Sequence, residues 1–318
     1  MTQEELDKIV EQHQHWIHED VDGWVGMRAD LRNKDLSGLS LDDARLDGAN
    51  LDRASLVGAN LDGASLVGAN LDRARLVGAN LNRARLVGAN LDRASLVGAN
   101  LNRASLDRAR LDDARLDGAS LDGASLNRAS LDRARLVGAR LDDARLDGAS
   151  LVGANLDRAS LVGANLNRAS LDRARLVGAN LNRARLVGAN LDRASLDRAS
   201  LVGASLVGAN LNRAEKIRLG QILTEPMTGF KKTQEGVVIT AEIPAGAIVF
   251  CINGRKCRTN KAKITDTEGH EVLHSSYDNS FEYRLGQEIN IEDFNLMYNI
   301  ECASGFHFFR TRKEAEEY

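Results

Sequence analysis

The chain has 318 residues, 42 of them basic and 45 acidic, for a formal net charge of -3, with 4% aromatic residues, two prolines and three cysteines. Near-neutral charge points by itself to no polyanionic partner, and no apolar run approaches the roughly 18 residues that a membrane helix needs. The opening MTQEELDKIVEQHQH lacks the basic and apolar regions of a secretory signal, and an odd number of cysteines fits a reducing compartment, so the expectation is a soluble cytoplasmic protein.

Residues 1–26 read as a helical region. Thr2-Gln3-Glu4-Glu5 has the form of a capping box, and Leu6, Ile9, Val10, Trp16 and Ile17 fall on one helical face. His13, His15 and His18 lie close together beside Glu19 and Asp20. On a helix His13 and His15 point to different sides, and a structural zinc site needs four convergent ligands. No metal or cofactor is expected.

From Leu41 to Leu211 every fifth residue is Leu, 35 in all, and three places after each comes Ala. The stretch LDRARLVGANLNRARLVGANLDRAS occurs twice, at Leu71–Ser95 and Leu171–Ser195. A period of five spreads Leu around a helix and flips it from face to face of a strand. It works when the chain turns a corner in every unit, so that Leu and Ala always point inward. That is a solenoid whose coils bury their apolar sides on their neighbours.

The unit A-(D/N)-L-x-x, as in Ala49-Asn50-Leu51 and Ala59-Asn60-Leu61, resembles the pentapeptide-repeat proteins over residues 27–215. The resemblance implies a right-handed quadrilateral β-helix with about 20 residues per coil and about 4.8 Å between coils. The two identical stretches are then five whole coils apart. The resemblance also gives the helix of residues 1–26 a task, covering the open first coil. One departure is that the central residue is always Leu, where the family also uses Phe.

With four pentads per coil, Arg53, Arg73, Arg93, Arg133, Arg173, Arg193 and Arg213 share one column, and Val57, Val77, Val97, Val137 and Val177 share the next. The Arg column could be an anion or nucleic-acid track. Neighbouring Asp residues and the absence of interleaved aromatics favour a charge-balanced, solvated face instead. The Val column could be a dimer or partner surface, and a packing ladder is the favoured reading.

Residues 216–318 bring Pro, Thr, Lys and aromatics. Strands are predicted at 236–243, 247–252, 261–267, 281–285 and 305–309, and Thr311-Arg312-Lys313-Glu314 is a second capping box. This small, mostly β domain resembles one of unknown activity that recurs at the C-terminus of pentapeptide-repeat proteins. The matching residues are Gly254-Arg255-Lys256-Cys257-Arg258, Phe281-Glu282-Tyr283 and Cys302-Ala303-Ser304-Gly305-Phe306-His307-Phe308-Phe309. Cys257, Cys302 and His307 are the candidates for nucleophilic chemistry, which requires them to meet in space. Arg255, Lys256, Arg258, Lys261 and Lys263 form a basic cluster that suits a phosphate or acidic partner, or a solvated strand edge, the favoured reading.

The fold expected is mainly β: a capping α-helix (1–26), a β-helix (27–215) and a small β domain (216–318). The function expected is a non-catalytic scaffold with an unknown protein partner. Recognition or homodimerisation lies in the last domain or the Val column, without membrane or nucleic-acid binding. Two alternatives stand beside it. One is a DNA-mimicking inhibitor or protector of a topoisomerase, which some members of the family are; the net charge of +4 over residues 41–215 opposes it. The other is an enzymatic activity in the C-terminal domain.

Overall fold

The computed structural model describes residues 1–214, 221–222, 225–252, 256–276, 281–291 and 306–317. It forms two compact units, Met1–Lys216 and Ile217–Tyr318.

The first unit begins with helix α1, Gln3–His18. Both bonds of the capping box are present: Thr2 Oγ1 accepts from the Glu5 N–H, and the Glu5 carboxylate accepts from the Thr2 N–H. The helix ends on Glu19 in the left-handed conformation, and a short 3-10 turn follows at Trp24–Met27.

From Leu31 the chain winds into a coil whose corners bridge in parallel to residues 20 positions on, from Asp30↔Asn50 through Asn190↔Asn210. Within a pentad, position 1 is Leu, positions 2 and 3 form the turn, position 4 is Ala and position 5 is the corner. The Leu N–H donates to the corner carbonyl of the next coil, as Leu51 does to Asn70 at 2.7 Å. The position 3 N–H donates to position 2 of the next coil (Arg53 to Asp72, 2.8 Å), and the corner N–H reaches back to the preceding Ala (Asn70 to Ala49, 2.9 Å). The Ala N–H closes the turn on its own Leu (Ala54 to Leu51, 3.0 Å).

This turn needs a left-handed residue at position 3. Where that residue is Arg, Asp or Asn, φ lies between 52° and 59°. Glycine adopts the conformation without strain, which explains the recurring Gly; each other residue there costs about 1 kcal/mol. The interior is solid: every pentad Leu from Leu31 to Leu196 is at most 2% exposed. Stacking coils removes from water what one coil could not bury alone.

The second unit holds an antiparallel sheet built from β1 (Gln221–Ile222), β2 (Met227–Lys232), β3 (Val238–Ile243), β4 (Ile248–Ile252), β5 (Lys256–Thr259), β6 (Lys261–Asp266), β9 (Glu288–Asn290) and β10 (Phe306–Phe309). The strand order is β1-β4-β5-β10-β2-β3-β6-β9, and β7 (Leu273–His274) pairs with β8 (Glu282–Tyr283). Ile239, Ile243, Ile264, Leu273, Phe306 and Phe308 are among its core. Helix α2, Arg312–Glu317, starts at the second capping box, where Glu314 N–H donates to Thr311 Oγ1 at 3.3 Å. Five strands lie within the predicted segments. The sequence reading missed β1, β2, β5, β7 and β9, which are short or lysine-rich.

Candidate functional site: the outward faces of the coil

The 20-residue coil gives four faces. Face 1 starts at Leu31, Leu51 and so on; face 2 at Leu36, Leu56; face 3 at Leu41, Leu61; face 4 at Leu46, Leu66. Four of the five backbone N–H groups of a pentad are used as described. The fifth, at position 2, needs a side-chain acceptor, and there are two sources.

Where the preceding corner is Asn, its own Oδ1 accepts, as Asn70 does from Asp72 (3.2 Å) and Asn180 from Asn182 (3.1 Å). Where the corner is Ser or Arg, the acceptor is position 2 of the preceding coil when that residue is Asp or Asn. Asp47 takes the Val67 N–H at 2.9 Å, and Asp142 takes that of Val162 at 3.0 Å. The same carboxylates also bind the corner side chain: Ser160 Oγ donates to Asp142 at 2.5 Å, and Arg175 to Asp157 at 2.7 Å. The Asp and Asn side chains of position 2 thus serve the backbone ladder first.

This accounts for face 1. Counted from Leu41 with the corner that precedes each of its leucines, it carries eight Arg and eight Asp. Arg53, Arg73, Arg173 and Arg193 stand 3.9, 3.6, 3.8 and 3.6 Å from their neighbouring Asp. Arg93 and Arg133 follow Asp92 and Asp132, which are bound to the next coil instead. Arg213 follows an Asn. The two identical stretches show the rule at work. Asp92 accepts the Asp112 N–H because the intervening corner is Arg110, whereas Asp192 pairs with Arg193 because the corresponding corner, Asn210, serves Asn212 itself.

Val57, Val77 and Val97 of face 2 are half-buried. They form a ladder one coil apart, and each offers no acceptor to the coil above.

The three histidines go three ways. His13 is fully buried at the end of the coil. Its Nδ1 accepts the Ala29 N–H at 3.1 Å, so Nε2 carries the proton and donates to the Asp47 carbonyl at 3.1 Å. Burial holds its pKa below the usual histidine value, outweighing the pull of Asp47. Its ring stacks on Trp16, 5.1 Å between centroids. His15 pairs with Asp20 at 2.8 Å, and His18 Nε2 accepts from Arg45 at 3.1 Å. Gln3 exchanges two bonds with the Ser40 backbone, and Gln14 donates to the Arg45 carbonyl. These side chains stand in for a missing coil. Sequence reasoning passed over Gln3 and Gln14. It weighed His13 as a ligand, although position 13 continues the apolar face of Leu6, Ile9 and Val10. Among the described residues no group of three or more His, Cys, Asp or Glu could hold a metal ion.

The repeat also matches known sequences. The profile of pentapeptide repeats fits eight times, in overlapping copies that run from residue 27 to residue 213. The chain belongs to the pentapeptide-repeat family. Residues 218–315 match a family of unknown function (DUF5758). A curated relative, the uncharacterized protein L223 of Acanthamoeba polyphaga mimivirus, is 37% identical over 97 residues, 26% of this chain and 61% of the relative. The chain therefore spans about three fifths of that relative's length. Among solved structures, HetL of Nostoc, a pentapeptide repeat protein involved in heterocyst differentiation regulation, aligns at 33% identity over 65% of this chain and 93% of its own, with a TM-score of 0.38. Rfr23 of Cyanothece aligns at 38% identity over 27% of this chain and 58% of its own, with a TM-score of 0.27.

In the C-terminal unit of this pentapeptide-repeat protein the candidate chemistry does not assemble. Cys257 faces Phe308 across β5 and β10, while His307 faces Arg258. Adjacent residues of a strand point to opposite faces, so Cys257 and His307 lie on opposite sides of the sheet. Cys257 is, moreover, disulfide-bonded, which removes its thiol as a nucleophile and departs from the expectation of reduced cysteines. Cys302 and Arg255 lie outside the described residues. The basic cluster is not a solvated edge either: β5 is an interior strand between β4 and β10. Arg258 is 4% exposed, and burial lowers its pKa. Lys261 and Lys263 of β6 are exposed. No helix among the described residues is long and apolar enough to cross a membrane.

Proposed function

We propose that this pentapeptide-repeat protein is a non-catalytic scaffold, in which the coil is a rigid display and residues 217–318 carry recognition of a protein partner. The observation that supports it is the use of polar side chains along the coil. The carboxylates and amides that a hydrolase would keep for substrate are engaged by backbone N–H groups and corner side chains of adjacent coils. The coil interior is filled by leucines, each at most 2% exposed from Leu31 to Leu196, whereas a reaction site is a concave pocket. A homodimer and a cytoplasmic location belong to the same proposal.

The test is capture of the full chain from a nuclease-treated native lysate, with crosslinks mapped on both partners and the solution mass measured by sedimentation. Reproducible crosslinks between one protein and residues 217–318 support the scaffold. Inhibition of a topoisomerase in a supercoiling assay at stoichiometric protein would replace it with DNA mimicry. A turnover lost on His307→Ala, with the fold intact, would replace it with an enzyme.

A further inference from the structure

The positive surplus of the coil is not on the Arg column of face 1, which is balanced, but on faces 4 and 2. From Leu41, each face taken with the corner that precedes its leucines, face 4 holds seven Arg against three Asp and face 2 six against three, whereas face 3 holds four Arg against six Asp. Arg85, Arg108, Arg128, Arg145, Arg168 and Arg185 follow one another along face 4, and none of their side chains makes a hydrogen bond or ion pair.

The ladder rule explains why. A corner Arg pairs with an Asp 18 residues back, as Arg140 does with Asp122 (2.6 Å) and Arg135 with Asp117 (3.4 Å). For Arg85, Arg145 and Arg185 that residue is Val67, Asn127 or Asn167. For Arg128 and Arg168 the preceding residue is Asn127 or Asn167. Arg108 does follow a carboxylate, but Asp107 is occupied by Ser125 Oγ (2.5 Å) and the Asn127 N–H (2.9 Å).

Three of these guanidinium groups border a single cleft of ≈ 370 Å³, which Arg108, Arg128 and Arg145 line with the amides of Asn127 and Asn165 and the carboxylates of Asp107 and Asp147. Gly148 leaves room for it. The Arg128 stem lies across that glycine, with Cγ 3.7 Å from where a Cβ would stand.

We propose that this cleft binds a phosphoryl group. Guanidinium forks match the oxygens of a phosphoryl dianion bidentately, and the three Arg of the cleft outnumber its two Asp. No aromatic side chain lines the cleft to stack a base, so single-stranded nucleic acid is a poor fit. The phosphoryl group can come from a free phosphate compound or from a phosphorylated side chain of a partner. The proposal does not depend on recognition by residues 217–318.

The test uses the full chain, with inorganic pyrophosphate and a phosphoserine peptide as probes, the unphosphorylated peptide as blank, and calorimetry at low salt. The diagnostic variant is Asn127→Asp. It restores the carboxylate that other coils carry at that position, so the fold tolerates it, and it places a carboxylate beside both Arg128 and Arg145. Asn102→Asp, the same change on face 3, is the control. The expected result is saturable binding of at least one probe that weakens with salt and falls about tenfold or more in Asn127→Asp, the scale of one charge-assisted hydrogen bond, with no such loss in the control. Tighter binding of the peptide assigns the source to a protein side chain, and tighter binding of pyrophosphate to a free compound. Absence of saturable binding, or equal loss in both variants with thermal midpoints unchanged, would overturn the proposal.

Discussion

Asp72 and Asp132 occupy the same position of the pentad on the same face, yet their side chains do different things. Asp132 accepts the Val152 N–H at 3.0 Å and Ser150 Oγ at 2.5 Å, while Asp72 has only Arg73, at 3.6 Å and exposed to solvent. Removing the acceptor of a buried or half-buried donor costs about 1–3 kcal/mol, whereas an exposed ion pair contributes under about 1 kcal/mol. Asp132→Ala should therefore lower the thermal midpoint clearly, and Asp72→Ala should scarcely move it; equal effects would refute the ladder rule. The converse change is Val57→Asp. It supplies an acceptor for the Val77 N–H, whose preceding corner is Arg75 rather than Asn, and should stabilise by about 1 kcal/mol in urea unfolding. Much of this was legible as pattern and not as cause. The alternation of Asp, Asn and Val at position 2 stood in plain view, but it read as charge relief, because the acceptor rule relates residues 2, 18 and 20 apart and only the 20-residue coil makes those separations neighbours.

At the scale of elements, α1 is held on the first coil by groups whose proton positions are fixed. The Ala29 N–H can only donate, so His13 Nδ1 must accept, and protonation would set two donors against each other. Burial lowers the pKa of His13 in the folded state below the unfolded value near 6.5. The unfolded or detached state then binds more protons, and stability rises with pH. The contribution of the cap is complete above the unfolded value and is lost progressively as pH falls below it. The charged groups facing His13 are Asp47, Arg28 and Arg45. Emission from Trp16, recorded in a Trp24→Phe background, should change between about pH 7 and 5, and His13→Gln, which cannot titrate, should flatten most of that change. An unaltered profile in His13→Gln would assign the transition elsewhere. In the C-terminal unit the strand pairing hangs on one glycine that no pattern in the sequence marks. A Cβ at Gly229 of β2 would lie 2.5 Å from the Phe308 ring of β10. Gly229→Ala should cost about 1–3 kcal/mol by overpacking, measurable as an earlier urea midpoint, whereas turn glycines such as Gly58, Gly78 and Gly98 of the coil face open space.

At the scale of the whole molecule, a strict five-residue period fixes both the interior and its tolerance for change. The sequence showed the period and the repeat of 25 residues at a spacing of 100, and the 20-residue bridge spacing makes that five coils. What it could not show was which face would be left charged, because that depends on contacts between adjacent coils rather than on composition. Each coil touches only its neighbours, so stability should scale with coil number, and whole coils should be removable. Deleting residues 51–70 joins Asn50 to Leu71 with Leu, Ala and corner positions in phase. The shortened chain should keep a single cooperative thermal transition of the coil and lose stability by an increment set by one coil and one coil–coil interface. Deleting residues 51–68 leaves Ala69 and Asn70 ahead of Leu71 and displaces every following corner by two residues. The Leu columns then no longer stack across the join, the parallel bridges there break, and cap and remaining coils should melt apart in circular dichroism. Equal cooperativity of the two deletions would mean that something other than phase-locked stacking holds the coil, and aggregation of the 20-residue deletion alone would mean that the coils are not interchangeable.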